Sequence, residues 1–113
     1  MGPNHPDTAI DLNNLALLYK VQGQYAEAES LYQRALAIRE QQLGPSHPDT
    51  AQSLNNLALL YESQSKVAEA KPLYRRALAI CEQTLGSDHP NTKIVRQNYA
   101  SILQRFSPDG EKK

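Results

Sequence analysis

The chain has 113 residues, 40% of them hydrophobic and 21% charged, which is enough for one modest domain and too little for two or for a large enzyme. Twelve Lys plus Arg balance twelve Asp plus Glu, so no excess basic field draws the chain toward phosphate backbones or anionic lipid, and nucleic acid and membrane are not expected partners. A single cysteine, Cys81, precludes an internal disulfide and a cysteine-based metal cluster. The polar start and the lack of an apolar run long enough to span a bilayer give neither signal peptide nor transmembrane helix, so the expected setting is the reducing cytoplasm.

The chain repeats itself. His5-Pro6 recurs as His47-Pro48 and as His89-Pro90, at intervals of 42 residues, and residues 5–46 agree with 47–88 at about two-thirds of positions, a fixed period that marks a helical repeat array. The expected organisation is a single domain over 1–106, with repeat one at 5–46, repeat two at 47–88 and a capping helix at 89–106. The breaker-rich residues 107–113 are expected to be a disordered tail.

In chain order, the first helical stretch places Ala9, Leu12, Leu15, Ala16 and Tyr19 on one stripe. Its N-cap is expected at Asn4, with Asp7 in the first turn where the helix dipole favours an acid. Gln22-Gly23-Gln24 ends it, Gly23 supplying a positive φ. The second stretch carries Ala28, Leu31, Tyr32, Ala35, Leu36 and Ile38 on its stripe, and Gly44-Pro45 stops it. The third begins at a cap of Ser46 or His47 and repeats the first through Leu54, Leu57, Ala58 and Tyr61. Ser65 stands where repeat one has Gly23, a cost of about 1 kcal/mol if that position is left-handed. The fourth repeats the second through Ala70, Leu73, Tyr74, Ala77, Leu78 and Ile80, with Pro72 expected in its first turn, where a missing N–H costs little. The fifth, capped at Asp88, is expected to pack through Tyr99, Ala100 and Leu103. Arg96 in place of the repeated Leu gives it a partly solvated outer face. No run of alternating β-branched residues suggests a strand.

Leu12-x2-Leu15-Ala16-x2-Tyr19, Gly23, Tyr25, Ala28, Tyr32 and Ala35 carry a resemblance to the tetratricopeptide (TPR) repeat, matched again by Leu54, Leu57, Ala58, Tyr61, Ala70, Tyr74 and Ala77, with departures at Ser65 and Val67. The 42-residue unit, with LNNLALLY and RALAI in both copies, resembles the TPR domain of kinesin light chains and related bacterial arrays over residues 5 to about 104. The resemblance implies an all-α, TPR-type α-solenoid: stacked antiparallel helix pairs, two repeats plus the C-terminal capping helix, coiled into a right-handed superhelix. It also implies a concave face lined by the first helix of each unit.

On those helices, off the packing stripe, lie Asn14, Asn56 and Asn98, and beside them Asn13 and Asn55. Paired Asn in a helix interior costs about 1 kcal/mol relative to Ala, so something compensates. The resemblance implies that the series Asn14, Asn56 and Asn98 bonds the backbone of an extended peptide, for which an amide has both donors and an acceptor. The alternative is that these amides tie one helix to a neighbouring carbonyl or face water. Leu17, Leu59 and Lys20 are expected in the same groove, together with Ile10, Val21, Gln52, Glu62, Ser63, Ile94, Ser101 and Arg105. That lining is mixed and nearly neutral, so a segment of mixed polarity fits better than an acidic tail held by a basic clamp.

Other residues read as structural. The three histidines sit one per unit in turns and cannot share a metal ion. Cys81 replaces Arg39 of repeat one, which suggests a surface or half-buried ordinary thiol. Asp11, Glu27, Glu29, Glu40 and Glu69 are expected on helix surfaces, pairing weakly with Lys20, Arg34 or Arg39. No nucleophile, base and oxyanion donor can be assembled, so the chain is not expected to be an enzyme, to hold a metal or to need a cofactor. The expected function is a protein-protein interaction scaffold that holds a peptide or a partner helix. The alternative is a self-assembling repeat array that stacks end to end or swaps units through its end faces. Two and a half units also suggest an excerpt of a longer array.

Overall fold

The computed structural model describes residues 4–106; the tail expected at 107–113 lies outside the described residues. Five helices follow one another: α1 (Pro6–Val21), α2 (Tyr25–Leu43), α3 (Pro48–Ser63), α4 (Val67–Thr84) and α5 (Pro90–Phe106). Each helix packs against its sequence neighbours, α1 on α2, α2 on α3, α3 on α4 and α4 on α5. This is an all-α solenoid, extended over 52 × 34 × 19 Å.

The first helix of every unit is capped by histidine. Nδ1 of His5 accepts from the Asp7 N–H at 3.1 Å, Nδ1 of His47 from the Asp49 N–H at 3.0 Å, and Nδ1 of His89 from the Asn91 N–H at 3.0 Å. Of the two caps expected for the third helix, Ser46 or His47, the structure has His47; the expected caps at Asn4 and Asp88 are corrected to His5 and His89. The reason lies in the Pro that follows each His: it takes the first helical position, where its missing N–H is no loss, and forces the residue before it into extended backbone. His5 and His47 accordingly have ψ of 144° and 145°, the cap geometry that aims a side-chain acceptor at the first free N–H groups.

At the turn inside each unit, Gly23 has φ 80° and Ser65 has φ 61°. Both close the same motif: Gln24 N–H donates to the Tyr19 carbonyl and Lys66 N–H to the Tyr61 carbonyl, each at 2.8 Å. One orphan carbonyl at the end of each of these helices is thereby satisfied. Pro72 is the sixth residue of α4, not part of its first turn. The helix tolerates it on an exposed face, where water can satisfy the Ala68 carbonyl that would otherwise have accepted its N–H.

Small residues set the helix spacing. Ala9, Ala16, Ala28 and Ala35 of repeat one, and Ala51, Ala58, Ala70 and Ala77 of repeat two, have no exposed surface. Within repeat one, Ala9 and Leu12 meet Ala35 and Ile38. Between the repeats, Ala16, Ala28 and Tyr32 meet Leu57 and Leu60 of α3. Repeat two closes on α5 through Ala51, Leu54, Ala77, Ile80, Cys81 and Val95, and again through Ala58, Ala70, Tyr74 and Ile102. Cys81 is therefore buried, contrary to the surface or half-buried site expected, and burial next to Glu82 pushes its thiol pKa up.

Two further expectations are corrected. Leu15 is 42% exposed and Leu18 52%, whereas their equivalents Leu57 and Leu60 are 4% and 0% exposed. The difference is the neighbour: α3 sits on α2, and no described helix precedes α1. On α5, the buried positions are Thr92, Val95 and Ile102, while Ala100 and Leu103 are exposed and Tyr99 is half-buried. Ala100 and Leu103 stand where Ala58 and Tyr61 face the second helix of their own unit, and no such helix follows α5 among the described residues.

Candidate functional site

The helix face shared by α1, α3 and α5 carries two adjoining hollows. The first, about 410 Å³, is lined by Ile10, Asn13, Asn14 and Leu17 of α1, Tyr32 and Arg39 of α2, and Asp49, Gln52 and Asn56 at the start of and within α3. The second, about 150 Å³, is lined by Gln52, Asn55 and Asn56 of α3 with Cys81, Asn91, Ile94 and Val95. Gln52 and Asn56 line both, so the two hollows share a wall on α3 and lie side by side as an interrupted channel along the face.

Of the residues expected at the site, the structure brings Asn13, Asn14, Leu17, Asn55 and Asn56 to this channel, together with Ile10, Gln52 and Ile94. It does not bring Asn98, Leu59 or Lys20 to the lining of either hollow. Leu59 packs instead against the cluster around Ala58, Ala70, Tyr74 and Ile102. Asn98 donates from Nδ2 to Oδ1 of Asn55 at 3.2 Å, tying α5 to α3. Lys20 is half-buried beside Glu62; burial lowers its pKa and the carboxylate partly opposes that shift. Glu62 in turn accepts from the Tyr74 hydroxyl and from Arg105 Nη1, both at 2.7 Å. The pKa of the Tyr74 hydroxyl is raised strongly, by burial first and then by that bond to a carboxylate.

The two paired-Asn positions behave differently in the two units. Asn13 and Asn55 are each 8% exposed, more buried than the neighbouring Asn14 and Asn56. Asn55 has Asn98 as its partner, but neither Nδ2 nor Oδ1 of Asn13 has a hydrogen-bond partner. An amide desolvated and left unpaired costs roughly 1–3 kcal/mol per polar group, so Asn13 is the least satisfied side chain of the channel.

Arg39, expected on the surface, is 4% exposed. Its Nη1 donates to the Asp49 carbonyl at 3.0 Å, to Gln52 Oε1 at 2.9 Å and to Ser53 Oγ at 3.1 Å. It thereby joins α2 to the first turn of α3 and forms the floor of the first hollow. Burial lowers its pKa and the Asp49 carboxylate opposes the shift. These bonds engage only Nη1 of Arg39, so its guanidinium stands in the lining as a cation with the Asp49 carboxylate close by. Tyr32 adds an aromatic wall, its hydroxyl pKa raised by burial. Sequence reasoning missed Arg39, Tyr32 and Asp49 as lining residues. The available signal was the contrast between otherwise duplicate units, Arg39 against Cys81 and Ile10 against Gln52, since a hollow differs where its lining differs.

No helix among the described residues is long and apolar enough to cross a membrane. The sequence model of the tetratricopeptide repeat matches residues 7–82 and 61–107. Among solved structures, one similar to this chain is a kinesin light chain with nearly identical TPR-like repeats from Podosopora anserina. It has a TM-score of 0.82 and 31% identity over 92% of this chain and 49% of that one; a single-substitution variant of it gives 0.82, 30%, 92% and 49%. BtubC (BKLC) from P. vanneervenii shares the fold at a TM-score of 0.82 and 24% identity, over 92% of this chain and 41% of that one. This chain thus spans less than half of each of these structures. No curated protein matches it.

Proposed function

Because the chain belongs to the tetratricopeptide repeat family, whose fold serves protein-protein interaction and repeat arrays, we propose that it is a cytoplasmic protein-interaction module that holds an extended peptide along the α1, α3 and α5 face. The observation that carries this reading is the pair of adjoining hollows that share Gln52 and Asn56, in which amides alternate with the exposed apolar residues Ile10, Leu17 and Ile94. An extended peptide presents its N–H and C=O groups along its length, and carboxamides can meet both. The apolar residues between them cover its side chains. Residues 1–106 act in this reading as one domain, with α5 as its capping helix. The activity belongs to binding, with no catalytic group, metal or cofactor assigned.

The test is a fluorescence-anisotropy screen of this chain against a library of labelled extended peptides, followed by Asn56→Ala. Asn56 is half-buried and lines both hollows, so its loss is expected to weaken the selected peptide about ten-fold, the size of one or two hydrogen bonds. The melting temperature should stay within about 2 °C. A large fall in melting temperature without specific loss of binding counts against the reading, as does a library from which nothing binds.

A further inference from the structure

We propose that the uncovered face of α1 docks a helix of the α2 kind from a partner repeat protein, recognised by a glutamate and an arginine at the places that Glu29 and Arg39 hold in α2. None of the residues of this face lines the two hollows described above, so the surface is a second one. The contact it would make is already present once within the molecule. Where α2 receives the second unit, Ala28 and Tyr32 meet Leu57 and Leu60, with Tyr61 and Leu73 packed against them. One period earlier stand Leu15, Leu18, Tyr19 and Leu31, the same residue types at all four positions. Leu15 and Leu18 are exposed, and Leu15, Tyr19 and Leu31 line a hollow of about 270 Å³. The seat is built, and no described helix fills it.

Polar residues decide which helix fits. At the contact of α2 with α3, the Tyr61 hydroxyl donates to Glu29 Oε2 at 3.0 Å, and Arg39 Nη1 donates to Ser53 Oγ at 3.1 Å. On α1 the equivalents are Tyr19 and Asp11. This face thus offers the same hydroxyl to a glutamate and, at the place of the Ser53 hydroxyl, an exposed carboxylate to an arginine. Docking desolvates Asp11, and a hydrogen-bonded guanidinium compensates that loss. The other second-kind helix is marked differently. α4 has Lys71 and Cys81 where α2 has Glu29 and Arg39, and α5 answers them with Leu103 and Val95, the latter packed in the Cys81 cluster. Seated on α4, Tyr19 would lose its carboxylate acceptor and Asp11 would be buried against Cys81 without a cation. The α4 helix of a second copy is therefore mismatched even with its own α5 removed. The α2 helix of a second copy bears both marks, but it already packs between α1 and α3. The occupant that fits is a repeat protein ending on a second-kind helix that carries both residues.

The probe is a synthetic peptide of residues 25–43, stapled between positions 30 and 34, which are exposed in α2, so that it enters as a formed helix. Its binding to the whole chain is followed by NMR through the methyl signals of Leu15 and Leu18. The expected result is a saturable shift of both leucines. Leu18→Glu in the chain should abolish it, with the melting temperature within about 2 °C because Leu18 is 52% exposed. Peptides carrying Arg39→Cys or Glu29→Lys should bind about ten-fold more weakly. Asp11→Lys in the chain should weaken the unaltered peptide and be rescued by a peptide carrying Arg39→Glu. Silence at both leucines overturns the proposal, as does equal binding of every peptide version. Shifts confined to Ile10 and Leu17 also overturn it, because the helix then lies in the groove. Sedimentation of the chain alone supplies the last outcome: self-association at rising concentration that Leu18→Glu abolishes would make the occupant a second copy and overturn the proposal.

Discussion

Ser65 shows how one residue can carry a local conflict that the repeat otherwise avoids. It sits at φ 61°, where Gly23 sits at 80° in the first unit, and an L-residue there costs about 1–2 kcal/mol. Ser65→Gly removes that cost but adds backbone entropy to the unfolded chain, about 0.4–1 kcal/mol in opposition. The expected net gain is about 0.5–1 kcal/mol, read as a higher urea midpoint at unchanged m-value. A lower midpoint would mean that the Ser65 side chain supplies a tie to the turn. This conflict was legible before any coordinates, because the duplicate unit states which residue the position prefers. The roles of Arg39 and Asn13 were not. Each is a polar residue on a helix that depends on what the adjacent unit places opposite it, and a pattern read along one helix contains no information about the facing one.

The helices show the same division between local and non-local causes. Their starts and stops follow from His-Pro, Gly23 and Gly44, all readable in sequence, although the capping atom is the imidazole nitrogen at all three starts, where the sequence pointed to it only at His47 and elsewhere to the side chain one residue earlier. Pro72 is the exception within an element. At the sixth position of α4 it deletes one i to i−4 bond, a penalty of about 3 kcal/mol against Ala in an ideal helix. The fixed φ of proline returns up to about 1 kcal/mol through the unfolded state. Replacing it with the residue of the duplicate unit, Pro72→Ser, is expected to stabilise the chain by about 1–2 kcal/mol in denaturant unfolding. Amide exchange along the first two turns of α4 should slow. Unchanged exchange there would show that the helix has already adapted to the proline without loss.

At the scale of the whole molecule, stability is distributed by neighbours. Leu57 and Leu15 are the same residue in the same repeat position, 4% and 42% exposed. Leu57→Ala opens a cavity between the units and is expected to cost about 2–5 kcal/mol. Leu15→Ala removes a side chain already in contact with water and should cost about 1 kcal/mol or less. Urea unfolding of the two variants measures the difference directly; equal losses would mean that the face of α1 is covered in solution. The repeat made the core pattern of the inner helices legible, Leu54, Ala58, Ala77 and Ile80 among them. It misled at Leu15, Ala100 and Leu103, because a periodic sequence marks a packing face whether or not a neighbour is present to occupy it.

The order of the described helices has one more consequence, a matter of parity. Helices of the first kind, α3 and α5, seat on helices of the second kind, α2 and α4. The described stack alternates from α1 to α5, so it begins and ends on the same kind, an odd tiling with both sockets already filled. Two copies laid end to end would bring like against like. To join through the contact that binds the units to each other, one copy must first give up its own α5.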